Sequence, residues 1–188
     1  IQDGSARYFL EAVEKAGIKE LETERVYFEL EENISYSNPD KDMEITIIPD
    51  KTRRYSVMID YDTKVLGTQN AFLSDLKHYK NEISKCRTFV FLHELEFLLQ
   101  NNLIKGGDLS NAIVFVNRTI SEEELQRLAG LFNKQVVKVN EDKGILNNLD
   151  LQFDNEAARH KLLDVIGDLA LVGMPVRGHV IARKPGHK

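Results

Sequence analysis

Cysteine is nearly absent from this sequence: Cys86 is the only one in 188 residues, so no internal disulfide bond can form. Disulfides are rare in reducing compartments, and we therefore expect the cytoplasm to be the natural setting. Long apolar runs are absent too, since none approaches the ~20 residues that a membrane helix needs. No signal peptide is recognisable, and we predict no transmembrane segment.

Basic runs are also lacking. The 25 Lys and Arg residues are outnumbered by 30 Asp and Glu residues, which gives a net charge of -5. A general nucleic-acid binder needs concentrated positive charge to neutralise phosphates, so we expect no nucleic-acid partner. The 42% of apolar residues is ordinary for a globular protein, and the length suits one domain or two small ones. The start at Ile1, without Met, and the abrupt end at "KPGHK" suggest a fragment of something longer.

Hydrophobic periodicity predicts a helix and three strands in the first third of the chain. Residues 6–16 place Phe9, Leu10 and Val13 on one helical face, and Gly17 suits a C-terminal cap. Alternating apolar and polar residues predict strands in three stretches: "RVYFELE", "MEITIIP" and "YSVMIDY".

Helices and strands are mixed in the remainder. The helices are predicted at 71–85, at 93–101, in "SEEELQRLAGLF" and at 156–172. The strands are predicted in "RTFVF", "NAIVFVN", "KQVVKVN" and "PVRGHVIARK". Ser121 and Glu124 form a capping-box pattern at the third of these helices. Because no regular βαβ rhythm is present, we predict an α+β fold with helices on one face of a mostly antiparallel sheet.

One stripe of the helix "RHKLLDVIGDLALVG" could carry chemistry. His160, Asp164 and Asp168 recur every four residues, so they lie along one side of it. This stripe is either the solvated side of an amphipathic helix or a metal site. A neutral imidazole and a carboxylate one turn apart suit zinc, but a catalytic zinc usually has three protein ligands.

The other reactive residue types give weaker signals. Cys86 lacks the pattern of a thiol protease, and "KGGD" at 105–108 lacks the residues of a phosphate-binding loop. His78 and His93 are expected at the surface, and His179 is expected to be structural. His187 follows "KPG", and a loop of this kind can aim a side chain over a sheet.

Five stretches occur in a fixed order along the chain: "DGSARYFLEAVEKAGI", "CRTFVF", "GGDLSNAIVF", "RHKLLDVIGDLALVG" and "ARKPGHK". Together they resemble the LpxC family, the UDP-3-O-acyl-N-acetylglucosamine deacetylases of Gram-negative lipid A synthesis. The resemblance implies a zinc amidase with two similar domains, each a sheet layered with helices. Residues 1–67 would be the later part of the first domain, and residues 68–188 would be most of the second.

The resemblance also implies roles for particular residues. Zinc would be bound by His160 and Asp164. His187 would be the general acid, Asp168 the carboxylate beside it, and Thr88 a donor to the oxyanion. The residues near the nucleotide sugar would be Lys161, Phe89, Phe91 and Tyr61. The acyl chain would run past Ser110 and Ala112 in "GGDLSNAIVF".

Two features depart from the shorter family members. The third zinc ligand and the general base of the family form a Glu-His pair in the first domain, and no "EH" occurs in this sequence. The segment 117–147 is longer, as in versions from Bacteroidetes that are often fused to a 3-hydroxyacyl-carrier-protein dehydratase. No dehydratase portion is present in these residues.

Two other hypotheses remain open. The chain could be a catalytically inactive fragment or binding module that keeps the fold, because it lacks the third ligand and the base. A different hydrolase with an HxxxD motif is the other possibility, although "DGSA" and "GGDLSNAIVF" argue against it. We also expect an open sheet edge in residues 1–67, which could pair with a second copy of the chain.

Overall fold

The computed structural model describes residues 3–101, 111–131, 137–147 and 149–186, and these form an α+β fold with two sheets. The α-helices of these residues are α1 (Arg7–Ala16), α2 (Tyr79–Glu82), α3 (Leu92–Gln100), α4 (Glu122–Leu131) and α5 (Glu156–Ala170). The strands are β1 (Phe28–Glu29), β2 (Ile34–Asn38), β3 (Met43–Ile48), β4 (Arg53–Asp60), β5 (Thr68–Leu73), β6 (Thr88–Phe91), β7 (Ala112–Phe115), β8 (Val139–Asn140), β9 (Ile145–Leu146) and β10 (Val176–Arg183). Within these ranges, no helix is both long enough and apolar enough to cross a membrane.

The larger sheet has the strand order β2-β3-β10-β4-β5. Its central strand, β10, pairs antiparallel with β3 and parallel with β4, and its first residues also pair with β1. The smaller sheet has the order β6-β7-β9-β8, and its first two strands are parallel. Five of the eight strand pairings in the described residues are antiparallel, so the sheets are mixed but mostly antiparallel, as the sequence pattern predicted.

The main core brings together α5, the larger sheet and the inner residues of the smaller sheet. Tyr55, Val57 and Ile59 alternate along β4 and are only 2%, 2% and 1% exposed, because successive side chains of a strand point to opposite faces. Leu162 and Val165 of α5 belong to the same buried cluster. A second cluster lies beside the smaller sheet and includes residues of α3, α4, β7 and β9. Burial of α5 in the main core positions the stripe of His160.

The predicted helix at 71–85 is wrong. The chain there continues strand β5 to Leu73, forms a 3-10 turn at Leu76–His78 and then the single turn of α2. Ala71 and Leu73 are buried while Phe72 is exposed, so the segment has strand period and pairs with β4. Strand pairing outweighs local helix propensity here.

Most other predicted elements are confirmed, and two are shorter. The predicted strand "RVYFELE" is reduced to β1, and in "KQVVKVN" the described residues form only β8. The capping box at α4 is half confirmed, because the Glu124 backbone N–H donates to Ser121 Oγ at 3.2 Å, while the Glu124 carboxylate pairs with Arg118.

Helix α1 forms as predicted, but the described residues leave most of its apolar face uncovered. Gly17 follows it with φ 89°, and its N–H donates to the carbonyl of Val13 at 3.2 Å. None of the residues of α1 is buried, and Phe9 and Val13 are 69% and 53% exposed. Strand β2, an edge of the larger sheet, is also mostly exposed. Pairing of this edge with a second copy stays a prediction.

The division of the chain at residue 67 also stays a prediction. Strands from both sides of that position share the larger sheet, since β4 pairs with β5 and β10 lies between β3 and β4. The main buried cluster also joins the two sheets, because it includes Phe91, Phe115 and Ile145 of the smaller one, while a second cluster lies beside the smaller sheet.

Candidate active site

The stripe of α5 passes from the core to the surface. His160 is 8% exposed, Asp164 is half-buried and Asp168 is exposed. His160 Nε2 lies 3.6 Å from Asp164 Oδ1, one helical turn away. The stripe is therefore not a uniformly solvated face, because its first member is in the core.

The backbone of Cys86 determines which nitrogen of His160 carries the proton. His160 Nδ1 lies 3.0 Å from the Cys86 carbonyl oxygen, which can only accept a hydrogen bond, so Nδ1 donates. Burial lowers the pKa of His160, against smaller raising effects from Asp164 and the Cys86 carbonyl. The imidazole is thus neutral near pH 7, and the lone pair of Nε2 lies on the side of Asp164.

This arrangement fits a metal ligand. Histidines that bind metals usually donate their other ring nitrogen to a carbonyl or carboxylate, which fixes the tautomer and the ring orientation. The pair offers one nitrogen and one oxygen donor, and zinc accepts both. Among the described residues, no group of three His, Cys, Asp or Glu side chains converges as a metal site would require.

Lys161 and an aromatic cluster lie beside the pair. Lys161 Nζ is 3.0 Å from Asp164 Oδ2 and 5.9 Å from the centre of the Phe89 ring. The Tyr61 ring lies 5.5 Å, centre to centre, from both Phe89 and Phe91. Burial raises the pKa of Tyr61, and the charges of Glu94 and Asp164 add to this effect. The structure therefore gathers a cation, carboxylates and aromatic rings in edge-to-face contact beside β6.

Thr88 begins β6 and lies against the turn at residues 3–5. Its backbone N–H donates to the Gly4 carbonyl at 3.2 Å. Gly4 has φ 74°, and a Cβ there would lie 2.1 Å from the Asn111 carbonyl oxygen, so only glycine fits. Ala112 pairs with Thr88 across β6 and β7. The "DGSA" stretch thus fits over the first residues of these strands.

Two predicted site residues, His187 and Ser110, lie outside the described residues. The pairing of Asp168 with His187 and the acyl passage at Ser110 consequently stay predictions. The other nine predicted residues are described, and six of them are grouped around α5 and β6: His160, Lys161, Asp164, Tyr61, Phe89 and Phe91. Their chemical roles stay predictions as well.

A buried ion pair next to the site was missed by the sequence analysis. Arg87 Nε lies 2.9 Å from Glu156 Oε1, and the side chains are 8% and 0% exposed. Glu156 stands one turn before His160, so it extends the predicted stripe by one member. That four-residue spacing was the available signal, but it does not identify the partner.

Two other residues are excluded from the chemistry of the site. Cys86 is fully buried, and burial raises the pKa of its thiol to about 12, so it is no nucleophile at neutral pH. His179 Nε2 lies 2.8 Å from Ser56 Oγ and joins β10 to β4, which matches its expected structural role.

Comparison with known proteins identifies the family. A model of the UDP-3-O-acyl N-acetylglycosamine deacetylases, LpxC, matches residues 1–132 and 127–188. The chain belongs to the LpxC family. The resemblance drawn from five stretches of sequence is thereby confirmed over the whole chain, and the α+β fold agrees with it.

Several relatives of the LpxC family carry two activities in their names. The chain is 44% identical to the bifunctional enzyme LpxC/FabZ of Chlorobaculum tepidum and 40% identical to that of Bacteroides thetaiotaomicron. It is 34% identical to the UDP-3-O-acyl-N-acetylglucosamine deacetylase of Syntrophotalea carbinolica. All of the chain is matched in each case, but it spans 40% of the first two proteins and 52% of the third.

Proposed function

We propose that the intact protein carrying this chain removes the N-acetyl group of UDP-3-O-(3-hydroxyacyl)-N-acetylglucosamine and releases acetate, as a zinc-dependent step of lipid A biosynthesis. The grouping of His160, Asp164 and Lys161 beside the aromatic cluster carries this proposal. The names of the deacetylase relatives support the same substrate.

His160 and Asp164 would hold the metal through Nε2 and a carboxylate oxygen. Bound zinc would polarise the amide carbonyl and lower the pKa of a water molecule toward ~7. The Thr88 hydroxyl would donate to the oxyanion of the tetrahedral intermediate, a contribution of roughly 3–4 kcal/mol for a well-placed donor. Lys161 would pair with a phosphate of the nucleotide, and Tyr61 would pack on its base.

The departing amine needs a proton, because an amide anion is a very poor leaving group. We assign this proton to His187 as an imidazolium, with Asp168 stabilising the charged form. The acyl chain would run along the segment of Ser110 and Ala112, where a larger residue at 112 would exclude long chains.

Two parts of the machinery are assigned to residues beyond those described. A third zinc ligand is needed, and the described residues hold only the pair of His160 and Asp164. We propose that this ligand and the general base come from the first domain of the intact protein. The names of the LpxC/FabZ relatives support a fused dehydratase as a further part. The single buried thiol suits a reducing cytoplasm.

The test uses the intact protein and three variants. We expect His160→Ala to lose zinc and acetate release together, and Asp168→Asn to lower kcat far more than zinc content. His78→Ala, on the surface away from the site, serves as the control histidine and should change neither. Equal loss of zinc and activity in Asp168→Asn would make Asp168 a ligand instead. Binding of the nucleotide sugar without any acetate release would support the binding-module hypothesis.

A further inference from the structure

One peptide unit lies between two side chains of α5. The carbonyl of Cys86 accepts a hydrogen bond from His160 Nδ1 at 3.0 Å. The N–H of the same peptide, which belongs to Arg87, donates to Glu156 Oε1 at 2.9 Å. Glu156 and His160 are four residues apart, so successive turns of the helix hold opposite ends of one peptide plane.

The Glu156 carboxylate is itself held firmly. It accepts hydrogen bonds from Arg87 Nε at 2.9 Å, from Arg87 Nη2 at 3.1 Å and from the Gln152 backbone N–H at 2.7 Å. Arg87 Nη2 also donates to the Asp150 carbonyl. Glu156 is 1% exposed and Arg87 6%, so water does not compete for these bonds. The carboxylate consequently has little freedom to move.

A peptide plane is rigid, so the direction of its N–H fixes the direction of its carbonyl. We propose that Glu156, held by Arg87, is a positioning residue for the metal site: it orients the Cys86 carbonyl, which fixes the tautomer and ring orientation of His160. The same strand start carries Thr88, so one anchor serves the metal ligand and the oxyanion donor. This inference rests on the proposed function, because it takes His160 as a zinc ligand.

Zinc affinity of the intact protein, measured by competition with a chelator, tests this role. Glu156→Gln removes the charge with almost no change of shape, and we expect a 10- to 100-fold loss of affinity, the usual effect of removing an outer partner of a metal-bound histidine. Glu156→Asp keeps the buried charge but is one methylene too short to serve Arg87 and Gln152 together. Because Glu156→Asp keeps the charge, it should fold even if Glu156→Gln does not. Its zinc affinity should still fall at least 10-fold.

The matched control is Leu128→Ala. Leu128 is fully buried in the second cluster, away from α5, so its truncation lowers thermal stability without touching the Cys86 peptide. We expect its zinc affinity to stay within about 3-fold of the wild type. If this control loses as much affinity as the Glu156 variants, the effect of Glu156 is general destabilisation and the positioning role is wrong.

Failure of the inference and failure of the proposed function give different results. If His160→Ala binds zinc as tightly as the wild type, His160 is not a ligand and the proposed function itself fails. If His160→Ala loses zinc but Glu156→Asp binds it like the wild type, only the positioning role fails.

Discussion

Helices α1 and α5 are both amphipathic in sequence, yet the structure uses them in opposite ways. In α5, six of 15 residues are buried, whereas none of the ten residues of α1 is. An amphipathic pattern predicts that a face needs cover but does not say which element covers it. For α5 the cover comes from the larger sheet together with residues of the smaller one, and for α1 the described residues leave most of the apolar face open.

The ion pairs of the two helices differ in the same way. Glu156 of α5 is enclosed with Arg87, while Glu14 of α1 lies 2.7 Å from Lys80 with side chains 39% and 55% exposed. Solvent screens the second pair and is excluded from the first. The contrast predicts different costs for equivalent substitutions.

The largest expected change in the free energy of unfolding comes from breaking the buried ion pair of Arg87 and Glu156. Glu156→Gln should lower the free energy of unfolding by about 3–5 kcal/mol, because it leaves the charge of Arg87 buried without its partner. Glu14→Gln, the matched change on α1, should cost at most about 1 kcal/mol. Urea unfolding of both variants of this chain measures the difference, and equal costs would abolish the contrast.

The next largest difference between α5 and α1 is expected in the stability cost of truncating an apolar side chain. Leu162→Ala in α5 should cost about 2–5 kcal/mol, since Leu162 is fully buried. Phe9→Ala in α1 should change the stability of this chain by no more than about 0.5 kcal/mol. A large cost for Phe9→Ala at high protein concentration that vanishes on dilution would reveal that a second copy covers α1.

The pH dependence of stability should reside in the core. The pKa of His160 is lowered on folding, so the unfolded chain binds its proton first. The contribution of neutral His160 to the free energy of unfolding is therefore fully present above pH ~6.5 and is lost as the pH falls below that value. Burial and Arg54 lower the pKa of His179 as well, which adds an effect of the same sign.

Substitution distinguishes the contributions of His160 and His179 to the pH dependence of stability. In the metal-free chain, His160→Gln should flatten the fall of Tm between pH 7 and pH 5 more than His179→Gln does, because His160 is the more buried. A steeper fall in His160→Gln would show that the sign is wrong.

The last difference is in the rate at which a cysteine in the core and one on α1 react with a thiol reagent. Cys86 should react with iodoacetamide only when the site opens, because its thiol is buried and has a pKa of about 12. A cysteine introduced at Val13 of α1 should react at the rate of an unfolded peptide. Mass spectrometry over time distinguishes the two sites, and rapid labelling of Cys86 in the native chain would contradict its burial.

The sequence correctly predicted the elements in which neighbouring residues repeat with a clear helical or strand period. Strands β3, β4 and β10 and helix α5 follow from regular alternation or helical spacing, and the pairing of His160 with Asp164 follows from a single helical turn. The segment of β5 was mistaken for helix, because its strand character comes from pairing with β4. The bond between Arg87 and Glu156 joins positions 69 apart in the chain, and no local pattern encodes such a partner.

The position of β10 has a consequence for synthesis of the protein. This strand is central in the larger sheet, yet it follows β4 by more than half of the chain, and it alone joins β3 to β4. At roughly 5–20 residues per second, the ribosome needs on the order of ten seconds to reach β10 after completing β4. Until then β3 and β4 have unpaired edges, and the main core lacks Val180 and Ala182 of the central strand. A nascent chain stalled before residue 176 should therefore be protease-sensitive throughout the larger sheet, and protection should appear in one step once β10 has left the ribosome.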